Sequence, residues 1–102
     1  MLLRARVQAG VEARFEPWFR GVHLRDVARI PGVVEVQSGR TLGGTRLGFY
    51  TFESSEAVQG ALASPEAAYA RGTWERWAGE LDELSIELWG ALFPLPLYRG
   101  AS

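Results

Sequence analysis

Cysteine, lysine and asparagine are absent from this chain of 102 residues, and histidine and methionine occur once each. Without cysteine there are no disulfides, no thiolate nucleophile and no cysteine-based metal site. Without lysine there is no Schiff-base chemistry. One histidine falls short of the several His or Cys ligands that transition-metal sites draw on, so no metal and no other cofactor is expected. No apolar run approaches the ~20 residues of a membrane span. The opening "MLLRARVQAG" lacks an apolar stretch of signal-peptide length, so the expected location is the cytoplasm, with no membrane partner. Charge of one sign is not concentrated anywhere. The eleven basic residues, all arginine, are interspersed with twelve acids for a net charge of −1, which leaves no basic stripe for a nucleic acid. The scarcity of Asn, Gln, Met and Cys fits a thermophile, although the missing lysine does not.

What is present suits one globular domain: 47% hydrophobic and 12% aromatic residues. Residues 1–96 are expected to form it, with 97–102 as a C-terminal tail. In "LLRARVQ" (2–8), Leu3, Ala5 and Val7 alternate with Arg4, Arg6 and Gln8, the period of a strand with one apolar face. Residues 12–30 predict a helix with an apolar stripe of Phe15, Trp18, Phe19, Val22, Val27 and Ile30. Pro17 must lie in its first turn or mark a bend, Gly21 is a second weak point, and Pro31-Gly32 closes it. "VVEVQSGRT" (33–41) and "TRLGFYTFE" (45–53) predict a hairpin around "LGG". Ser54 or Ser55 can cap a short helix, and Ser64-Pro65-Glu66 restarts it. "TWERWAGELDEL" (73–84) predicts a further helix capped by Thr73, and "SIELWGALFPL" (85–95) a last strand.

The order β-α-β-β-α-β predicts an α+β, ferredoxin-like split βαβ fold: four antiparallel strands with helices on one face. Leu3, Ala5, Val7, Val34, Val36, Ile86 and Leu88 are expected under the helices. Arg4, Arg6, Glu35, Gln37, Glu87 and Trp89 would take the other face. The third strand has large apolar groups on both faces, Leu47 and Phe49, then Tyr50 and Phe52. A sheet face open to water seldom carries aromatics on this scale. A second copy packed face to face would cover it and pair its charges; a solvated face with a few exposed aromatics is the alternative.

"FEPWFRGVHLRDVARIPGVVEV" and "RLGFYTFESSEAVQGALASPEAAYARGTW" together resemble the dimeric α/β-barrel proteins, in particular the EthD-like branch. The shared pattern is an aromatic-rich helix with His-Leu, then Pro-Gly and a strand, followed by a strand with an aromatic end and a helix opening on Ser-x-Glu-Ala. The resemblance spans about residues 1–93. It implies a homodimer whose two sheets form a barrel. The superfamily includes cofactor-independent monooxygenases, decarboxylases, isomerases and haem-degrading enzymes, so it implies no single reaction. The haem-degrading branch uses an asparagine, which this chain lacks.

His23 matches the histidine of that helix pattern and is the candidate catalytic residue. Trp18, Phe19, Tyr50 and Trp89 are the candidate ligand-binding residues around it. A neutral imidazole could exchange a proton with an acidic C–H or phenol, with Arg20 or Arg46 holding the oxyanion. A planar aromatic or polyketide-like compound would suit such walls. The other reading makes His23 structural, bonding carbonyls near Gly21 or the carboxylate of Asp26, in a module whose only activity is homodimerisation. Trp74 and Trp77 are expected in the core or a dimer contact.

Overall fold

A computed structural model describes residues 1–90 of the chain. Strand β1 (Leu2–Val7) leads through a 3-10 turn, Ala9–Val11, into helix α1 (Glu12–Trp18), and a π-helical turn, Phe19–His23, links this to helix α2 (Leu24–Ala28). Strands β2 (Val33–Arg40) and β3 (Arg46–Phe52) form the hairpin. Helices α3 (Ser55–Leu62) and α4 (Pro65–Gly72) and a 3-10 turn, Thr73–Trp77, lead to strand β4 (Leu81–Glu87). The sheet order is β2-β3-β1-β4, with every neighbouring pair antiparallel. This is the expected ferredoxin-like arrangement.

The first helical region is broken where the sequence is weakest. Phe15, Phe19, His23 and Val27 are all buried and follow at steps of four. In a regular α-helix each such step drifts by about 40°, so the row would wind off the sheet. The π turn has a wider repeat and takes up that drift. Pro17, which has no N–H to give, lies just before the turn, and Gly21 lies within it. The five-residue step from Val22 to Val27 is the trace of this turn in the sequence. One consequence is that His23, not Val22, is fully enclosed.

Caps follow the expected chemistry in the second half. Ser54 Oγ accepts from the Ala57 N–H at 3.2 Å, and Ser64 Oγ accepts from the Ala67 N–H at 3.1 Å. Pro65 opens α4. Thr73 instead donates to the Ala70 carbonyl at 2.8 Å. The helix expected over 73–84 and the strand expected over 85–95 are corrected here. The helix ends as a single 3-10 turn, Gly79 adopts φ 83°, and β4 already begins at Leu81. Such a positive φ suits glycine and turns the chain back along β1. Leu81 and Leu84 are therefore strand residues opposite Val7 and Ala5. Leu88 and Trp89 follow the strand, and residues 91–95 of the expected strand and the 97–102 tail lie outside the described residues.

The helices cover Leu3, Ala5 and Val7 as expected. Two expectations for this face do not hold. Val34 is 60% exposed because β2 carries a bulge between Val33 and Glu35, which shifts it out of alternation. Ile86 and Leu88 remain more than half exposed, Ile86 on edge strand β4 and Leu88 just beyond its end. On the opposite face Arg4 lies between Leu47 and Ser85, and Leu2 between Phe49 and Glu87. Apolar and charged groups therefore alternate across this open face.

One buried charge ties α1 to the sheet. Arg46, opposite Ala5 under the helix layer, is nearly enclosed; its guanidinium donates to Glu12 at 2.8 Å and also pairs with Glu16. Removing one partner of such a cluster leaves uncompensated charge near the core. Arg46→Ala is expected to lower stability by about 2–4 kcal/mol in urea unfolding. Combining Arg46→Met with Glu12→Gln and Glu16→Gln is expected to recover most of the loss. Equal losses in the two variants would show that packing, not charge, matters at this position.

Candidate functional site

Four of the five residues singled out as a site come together. His23 and Tyr50 are each 2% exposed, and His23 Nε2 and the Tyr50 hydroxyl are 2.7 Å apart. The imidazole stacks with the rings of Trp18 and Phe19, with centroids 5.7 and 5.3 Å away, and Trp74 meets it edge-on at 4.9 Å. The π turn places His23 on the inner side of the helix, and the pleat of β3 points Tyr50 at it. Asp26, the carboxylate within helical reach, is buried but contacts Arg25 at 3.6 Å; the recorded partner of His23 is Tyr50. Arg46 is engaged by Glu12 and Glu16, while Arg20 is exposed and reaches Glu16 at 3.9 Å.

The hydrogen bond has a preferred direction. Among the described residues His23 Nδ1 has no hydrogen-bond partner. If Nε2–H were the donor, both the Tyr50 proton and Nδ1 would be left unbonded. If Tyr50 donates to Nε2, only Nδ1–H is left, so fewer buried groups go unsatisfied. Both groups are neutral around pH 7. Burial lowers the His23 pKa from 6.5 to about 4 and holds the Tyr50 phenol well above its usual value.

This has a measurable sign. A histidine whose folded pKa is depressed favours folding while it stays neutral in both states. Above pH 6.5 its contribution is constant; as pH falls toward 4 the unfolded chain takes up the proton first and stability is lost. The expected loss across that window is about 3 kcal/mol. Urea unfolding from pH 7 to 4 measures it, and His23→Gln should flatten that segment. The ring protons of His23 are expected not to titrate between pH 5 and 9 by NMR; a midpoint near 6.5 would mean the ring is open to water.

The glycine that allows this pair carries no motif. An added Cβ at Gly48 would overlap the Tyr50 hydroxyl oxygen and lie 2.6 Å from Cζ. The Tyr50 ring therefore lies back over the bare backbone of Gly48, two residues earlier on the same face of β3. The spacing Gly-x-Tyr within a strand is the only sequence signal for it.

The fifth residue, Trp89, lies apart from the histidine. It lines a cavity of about 500 Å³ at the end of the sheet, where β1 begins and β3 ends, beneath the first turn of α3. Leu2, Phe49, Phe52, Val58 and Leu88 line it too, and Tyr50 joins the two places, lining the cavity and bonding His23. The cavity walls come from both faces of β3, with Phe49 on one and Tyr50 and Phe52 on the other.

No protein-family model matches the sequence, and no curated protein matches it. Solved structures do match. An EthD-family protein from Bacillus halodurans aligns over 85% of this chain and 96% of its own, at 16% identity and a TM-score of 0.61. SnoaB, a cofactor-independent oxygenase from Streptomyces nogalater, covers 92% of this chain and 94% of its own at 21% identity and a TM-score of 0.61. A monooxygenase from the ActVA-Orf6 gene of Streptomyces coelicolor, in complex with Nanaomycin D, covers 92% and 89% at 16% identity and a TM-score of 0.57. The chain thus shares the ferredoxin-like fold of these structures. Among its described residues no helix is long and apolar enough to cross a membrane.

Proposed function

We propose that this chain binds a small, planar compound of aromatic or polyketide type in the cavity beside Tyr50 and Trp89, without metal or flavin, as a homodimer joined through the open sheet face. The cavity carries this reading. Its volume of about 500 Å³ falls within the range of about 300–1,000 Å³ of small-molecule sites, and its walls are apolar and aromatic with a few hydroxyls. The likeness in fold to an oxygenase that needs no cofactor, and to one holding Nanaomycin D, supports it. In this reading His23, neutral and backed by aromatic rings, exchanges a proton with the ligand through Tyr50, which lines the cavity and bonds the imidazole, and Trp18 and Phe19 hold the His23 ring. The open face supports the dimer: Leu47 and Phe49 lie there among Arg4, Arg6, Glu35 and Glu87, charges that a second copy can pair.

Titration with planar aromatic and polyketide-like acids, followed on the indole N–H of Trp89 by NMR, tests binding. A specific shift is expected, with Trp89→Ala weakening affinity about tenfold, the worth of one aromatic contact. A panel that leaves Trp89 and the other cavity residues unmoved overturns the reading. A monomer at micromolar concentration in sedimentation overturns the dimer.

One observation favours a second reading, an interaction module whose only activity is homodimerisation: the His23 ring is sealed in the core. His23→Ala separates the two. Loss of ligand binding or turnover with the fold retained supports the chemistry; a change in stability alone supports the module.

A further inference from the structure

A substrate does not reach a ring that is 2% exposed, but an electron crosses packed side chains. The readily oxidised residues of this chain are few: no cysteine, one methionine, four tryptophans and three tyrosines. Among the described residues, Tyr50, Trp18, Trp74 and Trp77 belong to one cluster of rings in contact, with His23 joining Tyr50 to the tryptophans. Trp74, only partly buried, brings that cluster to the surface, 4.9 Å from His23 and 4.9 Å from Trp18 between ring centroids.

Removing an electron from a phenol makes its O–H strongly acidic. Oxidation is therefore easy only where a base already holds the proton by a hydrogen bond. Tyr50 meets that condition: it donates to the neutral Nε2 of His23 at 2.7 Å, and both side chains are buried. Gly48 keeps the phenol in that position.

We propose that Tyr50, His23 and Trp74 form a proton-coupled one-electron relay. The Tyr50 O–H bond breaks, its proton forms an N–H bond at His23 Nε2, and its electron passes through oxidised Trp74 to a one-electron oxidant of the organic-radical class. The oxidant is reduced by one electron, and a neutral tyrosyl radical and an imidazolium remain. Return of one electron sends the proton back and restores the pair. The relay stands on the buried cluster alone and does not depend on a ligand in the cavity.

The absence of cysteine makes the test direct. Glu75→Cys places a single attachment point on an exposed residue beside Trp74 for a ruthenium polypyridyl photo-oxidant. Tyr69→Phe and Tyr98→Phe in the same chain leave Tyr50 as its one tyrosine. After a flash with an electron-accepting quencher, a neutral tyrosyl radical is expected by EPR, with the g-shift of a hydrogen-bonded phenoxyl and a rise that slows in D2O. His23→Phe is expected to abolish it and leave the oxidation on tryptophan; Trp74→Phe is expected to slow its rise. The isotope effect and the g-shift decide the matter even if His23→Phe does not fold. Oxidation that stops at tryptophan in the parent chain overturns the relay. So does a tyrosyl radical that forms equally fast in D2O, or one unchanged by His23→Phe. A rise unaffected by Trp74→Phe overturns the place given to that tryptophan.

Discussion

Gly48→Ala is expected to unfold this protein more readily than any other single-methyl addition to the sheet. The new Cβ would overlap the Tyr50 hydroxyl oxygen and sit 2.6 and 2.9 Å from two atoms of the rigid, buried ring, Cζ and Cε1. The ring must leave, and it also packs edge-on against His23. Overpacking of this kind costs about 1–3 kcal/mol. Breaking the 2.7 Å hydrogen bond leaves two buried polar groups unsatisfied, which adds about 1–3 kcal/mol. A total near 3 kcal/mol is about the expected loss, read from urea midpoints at pH 7. The site should change with it: His23, no longer sealed, should titrate near its ordinary value, and the pH window between 6.5 and 4 should disappear. Gly48→Ala together with Tyr50→Leu should lose less than the two single changes added, because the second removes the clash. Strict additivity, or a loss under about 0.5 kcal/mol, would mean that the ring is not held over Gly48.

Phe15→Ala should have the largest effect on the fold as a whole. Phe15 is fully buried in α1 and touches four aromatic rings, Trp18, Phe19, Trp74 and Trp77, with centroids 5.7, 5.6, 5.9 and 5.1 Å away. It packs the 3-10 turn before β4 onto the first helix. Truncation loses the buried ring and leaves a cavity between stiff neighbours that cannot collapse, at a cost of about 3–5 kcal/mol. Against the ~5–15 kcal/mol of a whole domain this leaves a marginal protein. Thermal unfolding should move down by about 15–30 °C, and the near-ultraviolet circular dichroism of the packed tryptophans should fall with it. Phe15→Leu, which fills most of the space, should cost less than half as much. Equal losses for Ala and Leu would point to the aromatic contacts rather than the volume.

Much of the fold was legible because its signals are local. The alternation of Leu3, Ala5 and Val7, the Pro31-Gly32 stop and the serine caps at 54 and 64 each act over a few residues, where propensity and capping are decided. The last strand was not. "TWERWAGELDEL" has apolar residues at helical spacing, and only the backbone of Gly79 shows that Leu81 and Leu84 belong to β4. Trp77 is buried in the core as a turn residue, so its spacing from Leu81 fitted a helix without making one. Val34 went wrong for the same kind of reason, since a bulge is a property of two paired strands and not of one.

The candidate site divides in the same way. The sequence by itself determined that any proton chemistry here has one histidine to use, that thiolates and lysines take no part, and that an aromatic helix must pack on a sheet whose third strand is apolar on both sides. These follow from which side chains exist and from their periodicity. Only the tertiary structure decided that His23 meets Tyr50 rather than Asp26, that Gly48 makes room for the phenol, and that Trp89 lines a cavity at the end of the sheet instead of the pocket around the imidazole. The contact of His23 with Tyr50 joins residues 27 positions apart, across a π turn and the register of a strand pair. Its geometry is set when the layers pack, and no short window of the sequence contains both partners; Gly48 and Tyr50 are neighbours in the sequence, but the need for a glycine there appears only once the phenol is turned toward His23.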